Sequence, residues 1–396
     1  MKLSSSLYLD HQATTPVDEK VLAKMIPYFR KSFGNPHSAD HSVGWESLHA
    51  VDQSAQQIAR FIGADSDEIV FTSGATEANN LALLGLAKHA HSNGKKKRII
   101  LSAIEHKCIL AIGRILEDQL GYKVDHLPVD KEGRISISAL EEALDDDVLA
   151  VSIMAVNNEI GTIQDITRIS EVVRKSGAIY HCDAAQAPTA MDMRDFAQNT
   201  DLMSLSAHKM YGPKGIGALY IRRDLQEHIE PLIYGGGQQN GLRSGTIPTP
   251  LCVGMGAAAE ILNTEEAKKK QVLLGKRRDR FVEKLNSLPW PTTLNGPTVG
   301  NRHPGNANIC FSGFSAHEIL NVLQPHLAAS TGSACTSGIP EPSHVLKAIG
   351  LTNDDADASI RFSLSFETND IDIDNAINLI GDALEKLSKV TSNQLA

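Results

Sequence analysis

The sequence predicts an α/β fold in which helices cover a mostly parallel sheet. Short apolar runs alternate with longer segments whose apolar residues recur at helical spacing. The run Leu149–Val156 is apolar almost throughout, as expected of a parallel strand with both faces buried. Because the carboxyl ends of parallel strands share one edge of a sheet, side chains that follow such strands are expected to converge there. Polar clusters come directly after five strand-like runs, at 74–80, 105–106, 157–159, 183–186 and 206–209.

The elements follow from local pattern and from start and stop signals. Val21, Met25 and Phe29 are spaced as on one helix, and Gly63 ends the next helical segment. The predicted helices of the first two-thirds are 17–29, 47–62, 81–89, 166–175, 248–262 and 269–287. The predicted strands are a short one near Tyr8, then 68–72, 99–102, 149–156, 178–182, 202–206 and 216–221.

The length indicates two domains, because a single core stops growing near ~250–300 residues and this chain has 396. We expect a large domain at 16–258, and a smaller α+β domain formed by 1–15 with 259–396. Strand-like runs at 307–311 and 360–365 and helical runs at 317–323 and 371–390 define the smaller one.

Composition limits the function classes. The net charge of −9 argues against non-specific nucleic-acid binding, so no direct nucleic-acid contact is expected. No apolar run reaches the ~20 residues of a membrane span, and residues 1–10 lack the apolar core of a signal peptide. The five cysteines are scattered and form no C-x-x-C, which favours a reducing cytoplasm over a disulfide framework or a zinc site.

Lys209 is the first candidate catalytic residue. It follows the strand-like run 202–206 and precedes a glycine-rich turn, with Ser206 and His208 beside it. Burial favours the neutral amine of a lysine, and a neutral amine attacks carbonyl groups, so Schiff-base chemistry is the hypothesis. Taken alone, such a lysine is more often a surface residue before a loop. The other clusters that fit the same chemistry favour the catalytic interpretation.

A phosphate site is predicted where the strand 68–72 runs into Ser73–Asn80 and a helix. A strand, a turn of small residues and a helix aim free backbone N–H groups and the helix dipole at an anion. Thr76 adds a hydroxyl at the start of the helix, although the same pattern also fits a plain helix cap.

Cys335 is the candidate nucleophile. It stands in a loop at about 329–342 rich in Gly, Ser and Thr, whereas structural cysteines usually lie among apolar neighbours. Arg361 follows in a strand-like run and is suited to pair bidentately with a carboxylate.

Taken together and in this order, these stretches resemble the cysteine desulfurases of the NifS/IscS type, in the class-V aminotransferase group of pyridoxal-phosphate enzymes. The resemblance runs from Tyr8 to Ser363, and it implies a fold-type I transferase with a seven-stranded sheet in its large domain. The motifs that carry it are YLDHQATTP, GNPHSADH, FTSGATEANN, EHK, VNNEIG, HCDAAQA, SAHKMYGPKGIG, GGGQ with GLRSGT, and TGSACTSG.

The resemblance implies a role for each matching residue. Lys209 would bind the cofactor pyridoxal 5′-phosphate covalently, Asp183 would pair with its ring nitrogen, and Gln186 would reach its ring hydroxyl. His106 would stack on the ring and shuttle protons. The phosphate would be held by Ala75, Thr76, Ser206 and His208, and by Thr246 from across a homodimer interface. The substrate carboxylate would be oriented by Asn157, Arg361 and Asn35, and Asn157 would also contact the cofactor.

By the same resemblance, L-cysteine would give L-alanine and a persulfide on Cys335, which a sulfur-acceptor protein would collect. Three features depart from the family. Gln239 and Asn240 stand where an acid and an arginine are usual. Cys108 stands where a small residue is usual, and we interpret this cysteine as incidental. The tail ends soon after Val390, without the long extension of housekeeping members. Delivery to DNA phosphorothioation or tRNA thiolation is therefore considered beside iron–sulfur cluster assembly.

Two other classes remain open. Another class-V enzyme, such as a selenocysteine lyase or an aminotransferase, would need Lys209 and Asp183 but not Cys335. A non-enzymatic sulfur-relay subunit would carry no cofactor. A dinucleotide oxidoreductase is disfavoured because no G-x-G-x-x-G follows the first strands.

Overall fold

The computed structural model describes residues 6–94, 96–298, 300–332 and 342–394. Cys335 and most of the predicted loop at 329–342 lie outside these ranges. A seven-stranded sheet forms the centre, with the strand order β2-β8-β7-β6-β5-β3-β4. Its strands are β2 (Ile69–Thr72), β3 (Arg98–Ser102), β4 (Lys123–Leu127), β5 (Val148–Ser152), β6 (Ile179–Asp183), β7 (Leu202–Ser206) and β8 (Gly217–Ile221).

The predicted parallel sheet is confirmed. Strands β4, β3, β5, β6 and β7 run parallel, whereas β8 pairs antiparallel with both β7 and β2. Strands β5 and β7 are buried along their whole length, as their apolar sequences predict. Apolar side chains cover both faces of the sheet, one cluster centred on Ile58, Val151 and Tyr180 and the other on Leu83, Leu101 and Ile112.

Helices supply these covering layers. Helix α7 packs against both α1 and α2, and α3 packs against α4 and β8. The helices of the first two-thirds are α1 (Glu19–Arg30), α2 (Ser42–Ile62), α3 (Ala75–Asn93), α4 (Lys107–Leu120), α5 (Ile137–Ala143), α6 (Ile166–Ser176), α7 (Thr249–Leu262) and α8 (Glu265–Asn286).

A second core lies around a three-stranded antiparallel sheet. Its order is β12-β10-β9, and Leu9, Phe281 and Phe362 are among its buried side chains. A two-stranded parallel pair, β1 (Leu7–Tyr8) with β11 (Leu327–Ala328), joins the first residues to this part. The other elements are β9 (Thr292–Leu294), β10 (Asn306–Phe311), α9 (Ala316–Leu323), α10 (His344–Ala348), α11 (Asn353–Asp357), β12 (Ser359–Ser363) and α12 (Asp370–Gln394).

The seven-stranded and three-stranded sheets each have their own buried side chains, and the division into two domains stays a prediction. The boundary at 258 stays a prediction, and it falls inside α7. Within the described ranges, no helix combines the length and the hydropathy needed to cross a bilayer.

Candidate active site

The five polar clusters meet in one cavity of about 660 Å³ at the carboxyl ends of the parallel strands. Each cluster contributes to its wall, as does the segment 12–14, which lies over it. The residues that line the cavity include Gln12, Ala13, Thr14, Gly74, Ala75, Thr76, Asn79, His106, Cys108, Asn158, Asp183, Gln186, Ser206, His208, Lys209, Lys214, Gly332 and Arg361.

Lys209 lies in a single 3₁₀ turn, Ala207–Lys209, directly after β7. Its Nζ donates to the carbonyl oxygens of Gln12 and Ala13, the latter at 2.8 Å. Burial, with a smaller contribution from the nearby Arg361 guanidinium, lowers the pKa of Lys209 to about 8. At this pKa about a tenth of the amine is neutral at pH 7, against fewer than about one in a thousand for an ordinary lysine, and the neutral form is the one that acts as a nucleophile or base.

One end of the cavity is suited to a phosphate. Helix α3 begins with Gly74 as its N-cap, without a side-chain cap, so the first N–H groups face the cavity. Ser206 Oγ lies beside this turn, 3.8 Å from where a Cβ on Gly74 would stand. A side chain at Gly217 would come within 2.6 Å of Gly74 Cα, so the glycine permits β8 to pass close beneath this turn.

His208 completes this end. Its Nδ1 lies 3.1 Å from Thr14 Oγ1. Burial, together with the charges of Lys209 and Lys214, lowers the pKa of His208 to about 4. The ring is therefore neutral at physiological pH and keeps both an N–H donor and an acceptor.

Asp183 presents its carboxylate at the end of β6. Asn79 Nδ2 donates to Oδ2 at 2.8 Å, and the backbone N–H of Ala185 donates to Oδ1 at 2.9 Å. These bonds fix the carboxylate in the cavity wall, where it can accept a hydrogen bond from the protonated ring nitrogen of a cofactor. Gln186, which is also buried, donates from Nε2 to Gln12 O at 2.9 Å.

His106 caps helix α4 with its ring. The backbone N–H of Cys108 donates to Nδ1 at 3.2 Å, and Cys108 Sγ lies 3.0 Å from the same nitrogen. A backbone N–H can only donate, so the neutral ring carries its proton on Nε2. Desolvation lowers the pKa of His106, which favours this neutral form.

Cys108 has a larger part in this site than its sequence position indicated. Its Sγ also accepts from Asn79 Nδ2 at 3.3 Å, so the sulfur contacts the side chains of both His106 and Asn79. Burial and the Asp183 charge raise the pKa of Cys108 to about 12, so it stays a thiol and a poor nucleophile at neutral pH.

Three of the predicted site residues lie elsewhere. Asn157 is fully buried, and its amide donates to Ile104 O and accepts from the backbone of 159 and 160, while Asn158 lines the cavity instead. Asn35 and Thr246 are exposed and line no part of the cavity in the single chain. Their predicted ligand roles stay predictions.

Arg361 enters the cavity from β12 and is 4% exposed. It donates to Asp10 Oδ1 at 2.7 Å, to Ser330 Oγ at 2.9 Å and to Asn158 O at 2.8 Å. The sequence did not single out Asp10, Asn79 or Asn158. Asn79 had one signal, since it lies four positions after Ala75, on the same side of α3.

The donor set fits pyridoxal 5′-phosphate. Helix N–H groups, Ser206 and His208 would hold its phosphate, Asp183 its ring nitrogen, and Lys209 its carbonyl carbon. Among the described residues, no group of His, Cys, Asp and Glu is arranged to hold a metal ion.

Comparison with known proteins gives a consistent result. The model of the family Aminotransferase class-V matches residues 7–376. The chain is 45% identical to "Cysteine desulfurase IscS" of Rickettsia prowazekii, over 98% of this chain and 93% of the relative.

Solved structures agree. A "NifS-like protein" superposes with a TM-score of 0.89 at 34% identity, covering 96% of this chain and all of the other. "SspA in complex with cysteine" superposes with a TM-score of 0.78 at 38% identity, covering 90% and 98%. The chain therefore belongs to the class-V aminotransferase family and, within it, to the cysteine desulfurases, enzymes that depend on pyridoxal 5′-phosphate.

Proposed function

We propose that this protein removes the sulfur of L-cysteine, releases L-alanine and holds the sulfur as a persulfide on Cys335 until an acceptor protein collects it. One observation carries the proposal: the Lys209 amine, with its lowered pKa, shares a single cavity with Asp183 and Arg361. The cysteine bound in the related SspA structure supports the choice of substrate.

The bound cofactor supplies an electron sink for the substrate Cα. Arg361 pairs with the substrate carboxylate and sets which bond of Cα faces Lys209. The neutral amine of Lys209 takes the Cα proton. His106, whose neutral ring carries its proton on Nε2, can donate a hydrogen bond from Nε2 to the substrate sulfur, and its role in shuttling protons stays a prediction.

Cys335 receives the sulfur. Its thiolate forms an S–S bond with the substrate sulfur while the C–S bond breaks, and the electron pair of that bond stays with the carbon skeleton. Protonation of this skeleton gives L-alanine, and the transferred sulfur remains on Cys335. Cys335 follows the cavity-lining Gly332 by three positions, a span of at most roughly 11 Å of chain. Cys108, the other cavity thiol, is unsuited to this step because its pKa is about 12.

A homodimer is part of this proposal. Helices α1 and α2 and the turn between them expose a patch of large apolar side chains, which soluble monomers rarely carry. Its most exposed members are Phe29 at 58%, Phe33 at 70% and Trp45 at 57%, with Leu22, Ile26, Val43 and Leu48 around them. The phosphate role of Thr246 requires a second copy of the chain, because Thr246 lines no part of the cavity in the single chain.

Phe33→Glu combined with Trp45→Glu should convert a dimer to a monomer, because two carboxylates would be buried in an apolar interface. Light scattering after size-exclusion chromatography measures this. Val272→Glu, at a residue 64% exposed on α8, is the matched control and should stay dimeric. A monomeric wild type, or a double variant that remains dimeric, contradicts the assignment.

The acceptor protein belongs to an iron–sulfur cluster, tRNA thiolation or DNA phosphorothioation system. We place the reaction in the cytoplasm, as the cysteine usage indicates.

The direct test is turnover of L-cysteine by the cofactor-loaded protein in the presence of a thiol reductant. Alanine and sulfide should form in equal amounts. An aminotransferase would instead consume a keto acid and release no sulfide. A selenocysteine lyase would release selenide from L-selenocysteine and leave L-cysteine intact. Either result would overturn the proposal.

A further inference from the structure

We propose that Asp10 is a positioning residue that acts as the resting counter-ion of Arg361, in the place that a substrate carboxylate takes during turnover. The inference rests on the proposed function of Arg361 in binding that carboxylate. Asp10 would thereby limit the affinity of the site for carboxylate ligands.

The hydrogen bonds of Arg361 carry the inference. Nη2 donates to Asp10 Oδ1 at 2.7 Å and to Ser330 Oγ at 2.9 Å, so both of its protons are used. Nη1 donates to Asn158 O at 2.8 Å. Nε is buried and has no acceptor among the residues that the structure describes.

A carboxylate binds a guanidinium most strongly through two parallel N–H groups. Arginine offers two such pairs, Nε with Nη2 and Nη1 with Nη2, and both include Nη2. A bidentate carboxylate must therefore take a proton of Nη2 from Asp10 or from Ser330. The unpaired Nε–H is the second donor that such a ligand would satisfy.

The charges show why Asp10 matters more than Ser330. The side chain of Arg361 is 5% exposed and that of Asp10 is 18% exposed, so the two charges neutralise each other largely away from water. An incoming carboxylate adds a second negative charge to one guanidinium, and if Asp10 stays in place the two anions repel. Ser330 is neutral and adds no such repulsion.

The backbone of Asp10 is fixed beside Arg361, so its carboxylate competes with a substrate carboxylate for the same guanidinium. Its backbone bridges Ser363 of β12, and the N–H of His11 donates to Ser363 O at 3.1 Å. Ser330 and Arg361 also pair through their backbones, with Arg361 N donating to Ser330 O at 2.7 Å. The backbones of the three residues are thus connected, and the exchange of partners falls on the side chains.

The test compares Asp10→Asn with the wild type, because asparagine keeps the shape and removes the charge. Calorimetric titration of the cofactor-loaded protein with L-alanine, the sulfur-free product, gives the affinity. We expect the variant to bind L-alanine roughly tenfold more tightly. KM for L-cysteine should fall by a similar factor while kcat changes less.

A second readout uses the cofactor-free protein. The Asp10 charge raises the pKa of Lys209, so removing it should move the pH midpoint of cofactor reincorporation downward. A residue with only a structural role would not shift this midpoint. Asp10→Ser also removes the charge and provides a second variant should Asp10→Asn fail to fold.

Ser330→Ala is the matched control, since it removes the neutral partner of the same nitrogen, and L-alanine affinity should change less than about twofold. Arg361→Ala separates the carboxylate-binding role of Arg361 from the competing role of Asp10. If it leaves L-alanine binding unchanged, the proposed role of Arg361 fails. If it weakens binding but neither Asp10 variant tightens it, the Asp10 inference alone is overturned.

Discussion

Lys209→Ala should give a colourless protein that neither retains the cofactor nor releases sulfide from L-cysteine. The amine is both the covalent anchor for the cofactor and the base for the Cα proton. Loss of a positioned base alone lowers turnover about 10²–10⁴-fold, and loss of the anchor adds to this. The measurements are the visible absorption of the purified protein and its sulfide release with added cofactor.

Lys175→Ala, at an exposed residue of α6, is the matched control and should keep both colour and turnover. A Lys209 variant that retains yellow colour through denaturation would contradict the assignment, because a different amine would then hold the cofactor.

The lowered pKa of Lys209 also predicts how the rate of cofactor reincorporation changes with pH. With a pKa of about 8, the neutral fraction rises through pH 8 and is nearly complete two units higher. The rate at which cofactor-free protein reincorporates the cofactor should therefore increase with pH and level off above about 9. A rate still rising beyond pH 10, as for an ordinary lysine, would show that the amine is not desolvated.

The second large effect is expected at Cys335. Cys335→Ala should bind cofactor and L-alanine normally, yet lose sulfide release by at least roughly a hundredfold, because the sulfur has no thiolate to attack it. Mass spectrometry of wild-type protein after L-cysteine should show one added sulfur atom on the peptide that contains Cys335.

Two other cysteines serve as comparisons. Cys310→Ala removes a buried thiol on β10 and should keep turnover. In Cys108→Ala, the added sulfur should still be found on Cys335. Added sulfur on Cys108 of the wild-type protein would contradict the assignment of Cys335 as the sulfur acceptor, and unchanged turnover in Cys335→Ala would favour one of the other class-V activities.

Much of the fold was predictable because burial imposes local patterns. A parallel strand covered on both faces must be apolar throughout, so β5 and β7 were recognisable in the sequence. The antiparallel direction of β8 was not, since an apolar strand has the same composition in either direction. The polar clusters after the strands were equally local, and their convergence follows from the parallel arrangement.

Pairings between distant segments could not be predicted. Gln239, which departs from the family pattern, forms two hydrogen bonds with the backbone of Phe71 on the edge strand β2. Its amide thus satisfies backbone groups at the sheet edge, a role that depends on where a loop 168 positions away is placed. Cys108 likewise contacts Asn79, 29 positions away, a pairing that its place in the sequence did not indicate.

The sequence alone determined which chemistry this chain carries: a lysine after a strand, an acid after another, and a cysteine among small residues, all local patterns that burial and turn formation produce. The tertiary structure decided which of these side chains are available. Asn157 accepts a hydrogen bond from a backbone N–H of its own loop, while Asn158 lines the cavity. Asp10 neutralises the charge of Arg361, which is 351 positions away in the sequence. Such choices depend on distances across the fold, because a buried polar group takes whichever partner the packing brings within reach.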